Sequence, residues 1–103
     1  MQKVRVDLEE RSYNIDIGSG VLDGFGDALA KFGFGAKLAL VSNPTVYGIY
    51  GRRLIRSLKN AGFEIVKIII PDGEKYKNLM WVRKIYERLF KARLDRKSVM
   101  VAL

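Results

Sequence analysis

Polar and apolar residues alternate through residues 2–8, QKVRVDL, and again through SYNIDIG, where Tyr13, Ile15 and Ile17 fall on one face. That period of two predicts a pair of half-buried strands, with the EER between them as the turn of an antiparallel hairpin. Residues 21–32, VLDGFGDALAKF, carry Val21, Leu22, Phe25, Leu29 and Phe32 near helical spacing. Gly24 and Gly26 weaken that helix by roughly 1 kcal/mol each relative to alanine. KLALVS, residues 37–42, is apolar without alternation, the pattern of a strand buried on both faces. Asn43 then offers an N-cap, and Pro44 fits the first helical position. The following helix is expected to bury Val46, Ile49, Tyr50, Leu54, Ile55 and Leu58 and to stop at Gly62.

FEIVKIII, residues 63–70, is the next strand. It breaks off in Pro71-Asp72-Gly73-Glu74, a tight charged turn. NLMWVRKIYERLFKA then places Leu79, Val82, Ile85, Tyr86, Leu89 and Phe90 at three-to-four spacing, an amphipathic helix. SVMVAL begins one more strand. The order β-β-α-β-α-β-α-β implies an α/β fold with a parallel sheet and right-handed crossovers. The last strand carries no turn, cap or polar tail, so residues 1–103 are expected to be a single partial domain, truncated after that strand.

Composition narrows the chemistry. The 103 residues suit one domain with a modest core. There is no apolar run near the ~18 residues of a membrane span, and the N-terminus lacks the pattern of a signal peptide. A cytoplasmic location is the expectation. The chain has no cysteine and no histidine. The usual zinc and transition-metal sites cannot be built from it, and imidazole acid–base catalysis is excluded. No catalytic residue and no metal ligand is assigned. The net charge is +8, but the basic residues are spread along helices opposite their apolar faces. Solvated helix faces explain them better than a nucleic-acid interface does.

Ligands of open parallel sheets bind beyond the carboxyl ends of the strands. Two such ends hold candidate groups: Ser42-Asn43-Pro44-Thr45, and the turn Asp72, Gly73, Glu74, Lys75, Tyr76, Lys77. A carboxylate at a strand end can accept hydrogen bonds from both ribose hydroxyls of a nucleotide. Lys77 lies about one helical turn beyond Glu74 and could reach the same ligand. Each group also has a plainer role. Asp72 and Glu74 can cap the next helix, Asn43 can be an N-cap only, the lysines can be solvated, and Tyr76 can serve as packing. No G-x-G-x-x-G fingerprint or Walker A sequence is present.

Four segments in order, LEERSYNIDIGSGVL, LVSNPTVYGIYG, IPDGEKYKN and LDRKSVMVAL, resemble the N-terminal part of the 3-dehydroquinate synthases, which are sugar-phosphate cyclases. The resemblance implies a three-layer, Rossmann-like NAD-binding domain with an N-terminal hairpin. A glycine-rich loop would follow Leu103, and a helical C-terminal domain would bind the metal. It assigns Asn43, Asp72, Gly73, Glu74, Lys75, Tyr76 and Lys77 to the NAD site. It places a divalent metal, zinc or cobalt, on a glutamate and two histidines of that absent domain. The reaction it implies converts 3-deoxy-D-arabino-heptulosonate 7-phosphate to 3-dehydroquinate and phosphate in aromatic amino-acid biosynthesis, with NAD regenerated in each turnover. A homodimer and a small sugar-phosphate substrate are expected, with no nucleic-acid or membrane partner, and these 103 residues alone are expected to be inactive. Other sugar-phosphate cyclases, metal-dependent polyol dehydrogenases, a basic nucleic-acid-binding module and a stand-alone interaction domain are the competing readings.

Overall fold

A computed structural model describes residues 2–103. Strands β1 (Gln2–Val6) and β2 (Tyr13–Ile17) pair antiparallel as an isolated hairpin, Val4 opposite Ile15 and Val6 opposite Tyr13. Then come α1 (Phe25–Ala30), β3 (Lys37–Ser42), α2 (Pro44–Val46), α3 (Arg52–Asn60), β4 (Glu64–Ile69), α4 (Leu79–Lys91) and β5 (Val99–Ala102). Strands β3, β4 and β5 form one parallel sheet in the order β4-β3-β5. This is the α/β element order expected from the sequence.

The central strand explains the core. Leu38, Ala39 and Leu40 are fully buried. Leu38 and Leu40 face α1 and α3, packing with Leu29, Leu54, Leu58 and Phe63. Leu38 is paired with Val99 and Leu40 with Val101, and both valines pack on the same cluster. Side chains alternate across a strand, so Ala39 and Val41 face the other side. They share it with Ile68 and Met100, toward α4. The crossover from β3 to β4 and the return past β3 to β5 run in opposite directions. Right-handed crossovers then put their helices on opposite faces, and three layers result.

Four expectations need correction. The hairpin is not half-buried: Val4, Tyr13, Ile15 and Ile17 are exposed. The polar side of β2, Asn14 and Asp16, instead borders the cleft against α1. The second helix is not uniform either, because a π-turn at Tyr47–Gly51 joins α2 to α3. The inserted residue rotates the apolar stripe. Tyr47 packs against the core, while Ile49, at 63% exposure, and Tyr50 point outward. Gly51 makes room for the Tyr47 ring, which an added Cβ would meet at 2.5 Å. On α4 the half-buried residues are Trp81, Ile85 and Leu89. Leu79, Val82, Tyr86 and Phe90 form a second apolar stripe that remains exposed.

The fourth correction concerns Gly26. It does not weaken a helix so much as permit a contact. A Cβ there would lie 2.1 Å from the Ser57 carbonyl oxygen of α3. Ser57 Oγ, buried, accepts from Gly26 N at 2.8 Å and donates to Asp23 O at 3.0 Å. The first-turn amides of a helix have no partner within the helix. Here a side chain 31 positions away supplies one. Ser57→Ala is expected to cost about 1–3 kcal/mol, the desolvation penalty of the buried groups it orphans, as read by urea unfolding. A shift of the midpoint below detection would rule the bridge out as a stabilising contact.

The turn into β5 is built on Asp95. Its Oδ1 accepts from Lys97 N at 2.9 Å, Ser98 N at 3.1 Å and Ser98 Oγ at 3.2 Å. These donors, the Lys97 amide above all, hold the carboxyl below its usual range. No helix among the described residues is long and apolar enough to cross a membrane.

Candidate functional site

Strands β3, β4 and β5 are parallel, so their carboxyl ends lie on one side of the sheet. A cavity of about 390 Å³ opens there. Asn43, Gly73, Tyr76 and Lys77 line it, together with Ser42 and Leu103. The chain leaves β3 toward the α2–α3 face and leaves β4 toward the α4 face. The order β4-β3-β5 reverses direction at β3, and such a reversal point is where open α/β sheets hold their ligands.

Asn43 caps α2: its Oδ1 accepts from Val46 N at 2.8 Å. That bond fixes the amide and leaves Nδ2 without a protein acceptor among the described residues, at the edge of the cavity. Pro44 occupies the first helical position, as expected. Gly73 has φ +113° and ψ 150°, a conformation closed to residues with a Cβ. This lets the backbone fold back along the mouth of the cavity. A short 3₁₀ turn, Glu74–Tyr76, follows.

Seven residues were assigned to the site from sequence, and four border the cavity: Asn43, Gly73, Tyr76 and Lys77. Asp72, Glu74 and Lys75 stand outside its wall. Glu74 Oε1 accepts from Lys77 Nζ at 3.0 Å, with the Glu74 side chain 87% exposed. An exposed pair of this kind is worth little to stability, so both groups are free to exchange partners when a ligand arrives. Lys75 Nζ lies over the Tyr76 ring, 5.1 Å from its centre. The ring of Tyr76 meets Trp81 edge-on at 5.7 Å, so it is wall and packing at once. Asp72 Oδ2 accepts from Thr45 Oγ1 at 2.8 Å. Neither Asp72 nor Glu74 caps α4. That role belongs to Asn78, whose Oδ1 accepts from Trp81 N at 3.2 Å.

From sequence Ser42 stands at the end of β3 beside Asn43, with no role of its own in the cofactor site. It is buried, and its Oγ lies 3.3 Å from Leu103 O and 3.4 Å from Asn43 O. It joins the ends of β3 and β5 at the floor of the cavity. The signal for it was its place as the last residue of the buried strand. A second cavity of about 250 Å³ lies between α4 and β5. Its lining, with Tyr86, Phe90, Leu94 and Met100, is mostly apolar. Its polar members, Asp95 and Ser98, are hydrogen-bonded to each other in the turn into β5.

Comparison with known proteins gives the arrangement a lineage. The chain is 46% identical over 100 residues to the 3-dehydroquinate synthase of Nostoc punctiforme, covering 97% of this chain and 28% of that one. It is 44% identical over 103 residues to the 3-dehydroquinate synthase of Thermodesulfovibrio yellowstonii, covering 100% of this chain and 29% of that one. Along its whole length the chain is similar to 3-dehydroquinate synthases. It spans less than a third of the length of these curated relatives. The fold agrees. The crystal structure of 2-deoxy-scyllo-inosose synthase complexed with carbaglucose-6-phosphate, NAD+ and Co2+ superposes with a TM-score of 0.81. The match, at 17% identity, covers 96% of this chain and 27% of that one. No family model matches.

Proposed function

We propose that this chain is the NAD-binding part of a longer 3-dehydroquinate synthase, an enzyme that carries out the family's phosphate-eliminating cyclisation, with residues 1–103 forming one partial domain. The observation that carries the reading is the single cavity uniting Asn43 with Gly73, Tyr76 and Lys77 at the strand ends.

The groups present suit a dinucleotide. The volume, about 390 Å³, lies in the range of small-molecule sites, enough for one nucleoside portion of the cofactor. Asn43 brings an amide donor with a fixed direction. Lys77 brings a positive charge for an anionic or carbonyl oxygen. Glu74, one helical turn away, brings a carboxylate able to accept from two vicinal hydroxyls. Gly73 lets the main chain approach closely. NAD, when bound, would accept and return a hydride. The residues of this chain bind and orient it and supply part of the wall against water.

A metal does not fit this chain. Among the described residues no group of three or more histidine, cysteine, aspartate or glutamate side chains converges. No step is assigned to these residues through a metal. A divalent ion, as in the Co2+-containing neighbour, would be held by residues outside this chain. The sugar-phosphate substrate is assigned on the same footing, as the substrate of the whole enzyme. The chain alone is expected to show no synthase activity.

The test is NAD titration of the whole enzyme by calorimetry. Glu74→Ala and Lys77→Ala should each weaken NAD by about tenfold to a hundredfold, the loss of one hydrogen bond to a charged group. Folding should be little changed, since both side chains are exposed. NAD affinity untouched in both variants would remove this turn from the cofactor site.

A further inference from the structure

We propose that Thr45 and Asp72 are a positioning pair that sets the distance between the two loops of the cavity, so that Asp72, which the resemblance assigns to the NAD site, acts on that site through its tie to Thr45. The inference rests on the cofactor-site reading above and deepens it.

The last backbone bond between the two strands at this end is Ile70 N to Ser42 O, at 2.8 Å. Beyond it the chains part toward opposite faces of the sheet. Thr45 Oγ1 to Asp72 Oδ2, at 2.8 Å, is the next tie. Among the described residues it is the one side-chain hydrogen bond joining the two loops. Its two ends differ in rigidity. Thr45 is the second residue of α2, preceded by Pro44 and spanned by the cap bond from Val46 N to Asn43 Oδ1. Asp72 is followed by Gly73, the residue with the widest backbone freedom. The bond thus anchors the turn, at Asp72, to the capped helix start; the residues on either side of Asp72, Pro71 and Gly73, both line the cavity.

The remaining side-chain hydrogen bonds and ring contacts of the turn are internal or reach only α4. Asn78 Nδ2 donates to Lys75 O at 2.8 Å, and Tyr76 meets Trp81. Neither fixes its distance from Asn43. Asp72 lies outside the cavity wall, and its accepting oxygen points to Thr45. A plain surface hydrogen bond would add little to stability. Holding a binding loop in its bound position instead raises affinity by lowering the ordering cost of binding.

The experiment is a double-mutant cycle in the whole enzyme, read by the NAD dissociation constant and by thermal unfolding. Thr45→Val keeps the shape and removes the hydroxyl. It should weaken NAD by about threefold to tenfold, the span set by one net hydrogen bond, at an unchanged melting temperature. Thr45→Ser should restore the wild-type value. Thr45→Val with Asp72→Ala should bind no worse than Asp72→Ala alone, because both remove the same tie. Backbone amides of residues 73–77 should exchange faster in Thr45→Val. Wild-type affinity in Thr45→Val, or losses that simply multiply in the double variant, would overturn the pair while leaving the cofactor site standing. Failure of the wild-type enzyme to bind NAD would overturn the site reading and the pair with it.

Discussion

Gly26→Ala is expected to destabilise the protein by about 3 kcal/mol, the upper end of the range for overpacking. In a domain of this size that is a fall in melting temperature on the order of 15 °C. The new methyl group would meet Ser57 O at 2.1 Å, Ser57 C at 2.6 Å and Leu58 N at 3.0 Å. All three are backbone atoms of α3, so no rotamer change relieves the clash, and the helices must separate. Separation also breaks the Gly26 N to Ser57 Oγ bond and loosens Leu29 against Leu54 and Leu58. Gly24→Ala is the control. A Cβ there meets nothing within 4 Å, and Gly24 stands at the N-cap of α1 rather than inside the helix, so its replacement should cost about 1 kcal/mol or less. Thermal unfolding followed by circular dichroism separates the two. Equal melting temperatures would mean that α1 and α3 do not approach as described.

Leu40→Ala should cost about 2–5 kcal/mol, the usual span for a leucine truncated in a core. Leu40 is 0% exposed at the centre of the middle strand, with Lys67 beside it on β4 and Val101 on β5. Its neighbours come from two helices and three strands, so collapse around the lost methyls would have to move several elements at once. That places the cost toward the top of the span. Phe90→Ala on α4 gives the contrast: at 81% exposure it should leave the urea midpoint nearly unchanged. If Leu40→Ala proves as mild as Phe90→Ala, the three-layer packing about β3 is wrong.

The parts of the fold legible in the sequence were those decided locally. KLALVS is apolar without alternation because both its faces are covered. The Asn43-Pro44 helix start was readable because a cap and an N1 proline act within one turn. Gly62 duly carries a positive φ. What stayed hidden was decided across the chain or by an irregularity. Helical spacing cannot register an inserted residue, so the π-turn at Tyr47–Gly51 exchanged Tyr47 for Ile49 and Tyr50 at the core. Alternation in β1 and β2 correctly marked an apolar face but carries no information about what packs on it. Gly26 looked like a defect because propensity weighs only the helix it sits in.

The candidate site divides the same way. Parallel strands end on one side, so Asn43 and the Gly73–Lys77 turn were expected to meet, and they share a cavity. Which side chains of the turn face inward depends on the rotation of a short 3₁₀ segment after Gly73, and no periodicity encodes it. The link from Thr45 to Asp72 depends on the register of β3 against β4, Ser42 opposite Ile69, a quantity visible only once the sheet is assembled.

The strand order has a consequence for biosynthesis. The middle strand is the first of the three to be translated, and its second neighbour, β5, comes only at Val99–Ala102. At roughly 5–20 residues per second, the nascent chain therefore carries an apolar ribbon with one open flank for seconds. During that interval chaperones, or a neighbouring polypeptide on the same message, have their best chance to capture it.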